Sequence, residues 1–399
     1  MVLVTAKKPR CRPTGRHFGV SGLVFELLKK PSLLLACLLD RRRLLFASAA
    51  ATVAALSTAG ERVRASELLA RDLIKDLSLE ARIGQLFFFE ARGQMMSPGY
   101  LNDLTTVKPG GVILVAANVT TQAGLTKFIA DIHATNTEIP PFVCIDQEGG
   151  PVTRLQGDPA PGAVQLGKLD DATVTEYAKE RATFLEAFGI DVNFAPVADV
   201  AYKATSTMAA RSFGSDPKSV AEKVAATVRG SRSGGVIGAA KHFPGHGRTS
   251  ADSHKVIPEI DVPWDEWLKT DAVPFESAIK AKVEMIMLGH LRYDRIDYRP
   301  MSLSKVAVRA LQNDLGFGGV TVTDDLGMGA LADMDPFDKV SQAVDAGVDV
   351  MLYNSPAPGW AAMIDHVNMM VANGLVDRQE INRRIEKVVA LKIRHFGLG

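Results

Sequence analysis

Cysteine is scarce in this chain, with three in 399 residues, at positions 11, 37 and 144. No spacing among them forms a disulfide framework or a zinc ribbon. Cys144, beside Ile145 in an apolar run, reads as a buried, unpaired thiol. A charge excess is missing too: 46 Lys and Arg meet 45 Asp and Glu, a formal net charge of +1. That balance hides an asymmetry. Residues 1–65 hold twelve basic and three acidic side chains, leaving 34 basic and 42 acidic in the remainder. An acidic body without a basic stripe excludes nucleic acid as the partner. The apolar stretch after Arg43, about 16 residues, falls short of the roughly 20 that a membrane-spanning helix needs. No Gly-x-Gly-x-x-Gly turn follows the first apolar run of the body, which counts against a dinucleotide-binding sheet.

What is present begins with that leader. Asp40-Arg-Arg-Arg-Leu-Leu-Phe46 precedes the alanine-rich segment Ala47–Ala59, which ends in Ser57-Thr-Ala59. Consecutive arginines, a mildly apolar core and a small-x-small end resemble a twin-arginine export signal. Residues 1–65 are therefore expected to be a leader, with the signal at about 40–59, and 66–399 the folded domain. A used signal places the protein in the periplasm or outside the cell, with no stable membrane span after processing; an unused one leaves it in the cytoplasm. The long approach to the signal and the patch Leu33–Leu39 keep two alternatives open, an upstream-extended start and an anchored segment.

The body carries short apolar blocks at Ile83–Phe89, Gly111–Ala116, Phe142–Asp146, Val192–Val197, Val236–Ala240, Met285–Gly289, Gly319–Thr323 and Val348–Tyr353. Continuous rather than alternating apolarity is expected of parallel strands buried on both faces. Helical spacing fills the intervals at Ala172–Phe188, Ser219–Ser231, Phe337–Ala346 and Ala361–Asn373. Asp216-Pro217 and Asp335-Pro336 supply helix entry signals, a capping carboxylate and then a first-turn proline. Eight alternating units predict a single-domain (β/α)8 TIM-type barrel; an open doubly wound sheet is the alternative. Polar groups gather at strand ends: Asp146-Gln-Glu148, Asp199, Lys241-His242, His290, Asp324-Asp325 and Asn354. Only a closed barrel brings all of these ends to one face.

Two segments carry the chemistry. Asp324 ends the apolar strand Val320–Thr323, where burying a carboxylate costs several kcal/mol unless it has a partner or a task. Asp325 is expected to cap a short helix over 326–331. In the loop that follows Lys241, Asp252-Ser-His254 places an imidazole that can protonate a departing oxygen next to a carboxylate that can orient it; the plain alternative is a solvated polar loop. His242, His246, Asp252 and His254 are a conceivable metal set. The H-x3-H spacing needs a helix, however, and Phe243-Pro-Gly245 forbids one. Neither a metal nor another cofactor is expected, and His246 is expected to brace the loop. Asp146-Gln-Glu-Gly-Gly-Pro-Val-Thr-Arg154 and Arg211 offer the carboxylate and guanidinium pairing that adjacent sugar hydroxyls require, or else structural loop ion pairs.

These motifs together resemble glycoside hydrolase family 3, in its single-domain β-N-acetylhexosaminidase branch, from about residue 70 to 399. The likeness rests on Asp146–Arg154, Asn193-Phe-Ala-Pro-Val-Ala-Asp199, Arg211-Ser-Phe-Gly214, Lys241-His-Phe-Pro-Gly-His-Gly247, Asp252-Ser-His254 and Thr323-Asp-Asp-Leu-x-Met328. It implies Asp324 as nucleophile, His254 as acid/base and Asp252 as its partner. It further implies that Asp146, Arg154, Arg211, Lys241 and His242 hold a terminal N-acetylglucosamine. Pro151 and Arg248 depart from the family pattern, where Arg and Asp are commoner. The implied activity is retaining exo-hydrolysis of small carbohydrate substrates, with peptidoglycan fragments as the source. Nothing requires more than a monomer. A β-glucosidase, an N-acetylglucosaminide phosphorylase and a non-catalytic saccharide-binding protein stand as alternatives.

Overall fold

The computed structural model describes residues 59–355 and 357–397. The leader through residue 58, and with it nearly all of the export signal, lies outside the described residues. Residues 59–65, counted above with the leader, open helix α1 (Ala59–Ile74). That helix lies on the last one in the chain: Arg71 pairs with Glu386 at 3.0 Å, and Arg394 donates to Ser66 Oγ at 2.8 Å.

Each of the eight apolar blocks contains a strand. They are β1 (Phe87–Glu90), β2 (Gly111–Leu114), β3 (Phe142–Ile145), β4 (Val192–Asn193), β5 (Ile237–Phe243), β6 (Met285–Leu288), β7 (Val320–Thr323) and β8 (Met351–Tyr353). All neighbours pair in parallel, with β8 next to β1. The ring closes between β7 and β8 through a Val322–Val350 bridge, where Thr323 N–H donates to Val350 O at 3.0 Å. The sheet is thus a (β/α)8 barrel and not an open doubly wound layer.

After α1 comes the short α2 (Leu79–Gly84); the barrel strands are followed in turn by α3 (Pro98–Val107), α4 (Gln122–His133), α5 (Asp171–Glu186), α6 (Pro217–Ser233), α7 (Ala272–Lys280), α8 (Lys305–Arg309), α9 (Pro336–Ala346) and α10 (Trp360–Ala372). A final helix, α11 (Arg378–Phe396), completes the fold. Both predicted entry signals cap their helices: Asp216 accepts from Ser219 N–H at 2.8 Å and Asp335 from Phe337 N–H at 2.8 Å. The first apolar block is only partly strand. Ile83 belongs to α2, whose start Ser78 caps by accepting from Ala81 N–H at 3.2 Å.

Alternation along β1 sets its two faces. Phe87 and Phe89 stack at 5.4 Å, and Phe89 stacks on Trp360 of α10 at 4.5 Å, so this face meets the helices. Phe88 meets Phe142 at 6.2 Å on the other face. At the opposite end of the barrel from the site, α11 runs beneath the strand starts. Lys387 reaches Asp349 at 2.8 Å, Lys392 reaches Gln85 Oε1 at 2.7 Å, and His395 reaches Asp191 at 2.9 Å. These three partners lie within two residues of the starts of β8, β1 and β4. Lys392 is fully buried, and burial pulls its amine down to about 7. Cys144 is a buried free thiol, its pKa raised by burial.

Candidate active site

Asp324 follows β7 directly. Its N–H donates to Leu288 O of β6 at 2.8 Å, and its Oδ1 accepts from Asp325 N–H at 2.9 Å. Burial pushes this carboxyl upward, but His242, His290, the Asp325 N–H and Lys241 outweigh it and hold the group below the usual carboxylate range. Asp324 is therefore an anion at neutral pH, partly open to the barrel mouth. The expected helix over 326–331 is absent; only Gly329–Leu331 forms a turn of 3-10 helix. Asp325 instead accepts from Gly327 N–H at 2.8 Å and Asn354 N–H at 2.9 Å, joining the ends of β7 and β8. His290, buried after β6, approaches Asp325 O at 2.8 Å through Nε2 and Ser302 Oγ at 2.6 Å through Nδ1.

Of the predicted sugar-holding residues, Asp146, Lys241 and Arg211 are joined through Glu148. Lys241, near the end of β5, contacts Asp146 Oδ1 at 2.6 Å and Glu148 Oε1 at 2.8 Å. Arg211 grips the same Glu148 with two parallel hydrogen bonds of 2.9 and 2.6 Å. Burial pushes Glu148 up, yet Lys241 and Arg211 bring it down to about 2. Burial likewise pulls Lys241 down, but Asp146 and Glu148 overcome it, so the ammonium stays charged. Arg154 sits differently: its backbone is held by Gln147 Oε1 at 2.8 Å, while its buried Nε has no hydrogen-bond partner and no carboxylate pairs with it among the described residues. A guanidinium with donors to spare suits a hydroxyl-rich ligand.

Glu148 and Asp199 were not singled out from the sequence as working residues. Asp199, fully buried after β4, accepts from His242 Nδ1 at 2.7 Å, His242 N–H at 3.2 Å and His246 N–H at 2.6 Å. Its place at a strand end was the available signal. The partners, more than forty residues away, were not legible. Glu90 also ends its strand half-buried, on the same face of β1 as Phe88, with burial and nearby Asp325 both raising its pKa.

The proton-donor candidate lies on the loop between β5 and the next helix. Asp252 Oδ1 accepts from His254 N–H at 3.0 Å and meets His254 Nδ1 at 2.8 Å. Those contacts, the backbone one foremost, lower the Asp252 pKa. The His254 side chain is 68% exposed. The loop docks on the segment just after Asp324, with Ala330 N–H donating to Ser253 O at 3.1 Å. Packing there is close enough that a Cβ on Gly329 would stand 2.2 Å from His254 O. Nucleophile and acid/base candidates thus occupy adjoining loops on one face of the barrel. His242 and His246 are engaged elsewhere, by Asp199 and by two hydroxyls. Among the described residues no group of three or more His, Cys, Asp or Glu is arranged to hold a metal ion.

The chain is similar to known proteins. A family model described as the glycosyl hydrolase family 3 N terminal domain matches residues 78–391. Beta-hexosaminidase A of Pseudoalteromonas piscicida is 34% identical over 270 residues, 61% of this chain and 45% of that protein. A beta-hexosaminidase of Nitrosospira multiformis is 36% identical over 259 residues, 62% of this chain and 74% of the relative. Among solved structures, a family 3 β-N-acetylglucosaminidase from a Paenibacillus species superposes with a TM-score of 0.77 at 31% identity, covering 80% of this chain and 63% of that one. The chain therefore spans less than half the length of the first relative and under two thirds of the solved structure.

Proposed function

The chain belongs to glycoside hydrolase family 3, and from that premise we propose that it is a β-N-acetylhexosaminidase that releases terminal β-linked N-acetylglucosamine. The activity named for its relatives supports the reading. In it, Asp324 attacks the anomeric carbon and forms a covalent glycosyl-aspartate. His254, protonated, gives its proton to the leaving oxygen as the glycosidic bond breaks; the neutral ring then takes a proton from water, which hydrolyses the intermediate with net retention. Asp252 steadies the imidazolium. Asp146, Lys241, Arg154, Arg211 and His242 hold the non-reducing sugar, with Arg211 and Lys241 set in place by Glu148.

One observation carries this assignment: Ser253, between the two dyad residues, is hydrogen-bonded to the loop that follows Asp324. Its test compares two variants on two substrates. Asp324→Ala is expected to abolish turnover of every N-acetylglucosaminide. His254→Ala is expected to lose about 100-fold or more in kcat/KM on a disaccharide while retaining most activity on an aryl glycoside that leaves unprotonated. An equal collapse on both substrates would remove His254 from the mechanism.

The source of the substrate is a further part of the proposal. Resemblance at the Asp-Ser-His loop favours peptidoglycan fragments in which N-acetylglucosamine is linked to an anhydro-muramic acid. Comparing their turnover with that of chitin oligomers decides the point, and release of sugar 1-phosphate when phosphate is added would instead mark a phosphorylase. The enzyme is proposed to act as a monomer after export. Support for export is the arginine-led leader, and N-terminal sequencing of the mature protein tests it.

A further inference from the structure

Of the three residues Asp252, Ser253 and His254, only the middle one is buried, at 4% exposure. The side chains that would handle the proton lie open to solvent, 39% and 68% exposed. The hydrogen bonds that tie the three to the protein beyond their own turn are made by Ser253. There are two: Ala330 N–H donates to its carbonyl at 3.1 Å, and His246 Nε2 meets its hydroxyl at 3.1 Å.

His246 is itself held at three points. Its N–H donates to Asp199 Oδ1 at 2.6 Å, its Nδ1 lies 3.3 Å from Thr207 Oγ1, and its ring stands edge-on to His242 at 5.8 Å. It is 1% exposed. Burial lowers its pKa more than Asp199 raises it, so the ring is neutral at pH 7, with one nitrogen donating and the other accepting. Both hydroxyl partners can complement either tautomer. The turn below the ring is equally confined, since a Cβ on Gly247 would meet Val200 O at 1.8 Å.

We propose that His246 is a positioning residue for proton transfer, latching Ser253 so that the Asp252–His254 pair stands over the leaving oxygen, with Asp199 tying this latch to the sugar-holding His242. The inference rests on His254 being the acid/base, and its consequence is specific. A 1 Å displacement of a catalytic group costs about 100-fold, and a displaced proton donor penalises only substrates that need a proton. Loss of the latch changes the leaving-group dependence of the first step. General loosening of the fold would lower all substrates together.

Ser253→Ala removes one hydroxyl, and His246→Phe keeps a buried ring without its nitrogens. The measurement is kcat/KM, which reports the glycosylation step, for a series of aryl and alkyl N-acetylglucosaminides graded by leaving-group pKa. Expected are losses of about 10- to 100-fold on the alkyl members, less than about 3-fold on the most activated aryl member, and so a steeper dependence on leaving-group pKa. His254→Ala run alongside separates the two layers of the argument. If it shows no leaving-group selectivity, the acid/base reading itself fails. Should it be selective while Ser253→Ala and His246→Phe lose equally on all substrates, or lose nothing, the latch is overturned alone.

Discussion

At Glu148 one carboxylate fixes two cations, and both were expected to hold the sugar. Glu148→Gln keeps the shape and removes the charge, leaving Arg211 without its bidentate partner. Breaking a buried ion pair costs about 3–5 kcal/mol, so denaturant titration is expected to show a loss of that order, together with a raised KM. The pH dependence has a definite sign. Because the folded-state pKa is depressed to about 2, the stabilisation is fully present above the ordinary carboxylate pKa of about 4.3 and is lost as pH falls through the folded value. The variant's stability should consequently fall less than the parent's between those limits, as read by urea titration at stepped pH. Residue pairings were legible in proportion to how local they are. Asp252 and His254 find each other two positions apart, and spacing alone proposes the pair. Glu148 with Arg211, and Asp199 with His242, meet only because strands far apart in the chain end on one rim.

Among the elements, the loop after β5 shows how a departure from the family pattern is accommodated. Arg248 donates to Asp271 at 2.7 Å, pairs with Glu266 at 3.0 Å and lies over the Tyr202 ring at 4.4 Å. Asp271 is buried, one of its oxygens has no partner, and burial raises its pKa more than Arg248 and Thr270 lower it. Arg248→Ala leaves that carboxylate without its cation. Thermal or chemical unfolding should register a loss of about 2–4 kcal/mol, and adding Asp271→Asn should recover a good part of it, a coupling that independent sites would not show. Strand cores were legible here because each is an unbroken apolar block. The same rule misread Ile83, since continuous apolarity does not separate a helix end from a strand, and it stopped β5 at Ala240 because Lys241 and His242 look like a loop. The small parallel pair Glu259–Ile260 with Arg292–Tyr293 has too few residues to leave a pattern.

For the molecule as a whole, the convergence of polar strand ends was enough to distinguish a barrel from an open sheet. Its underside was not legible, because the contacts of α11 join residues near 390 to strand starts at 85 and 191. Lys392 makes that underside sensitive to pH. An amine whose folded-state pKa lies at about 7, against about 10.4 when unfolded, binds fewer protons in the fold, so stability rises with pH between those values. Unfolding free energies from denaturant titration are expected to climb from pH 7 to 9 by at least about 1 kcal/mol, and Lys392→Met should flatten the climb while stabilising the protein at pH 7. A parent protein with no such rise would show that the amine is charged in place.

The Asp-Ser-His segment lies on the loop after β5, held to the segment after β7 by the Ser253 carbonyl and by close packing of His254 on Gly329, whereas Lys241 and His242, proposed to hold the sugar, are built into β5 itself. Under the proposed function, holding the sugar and delivering the proton to the group attached to it are thereby divided between strand and loop.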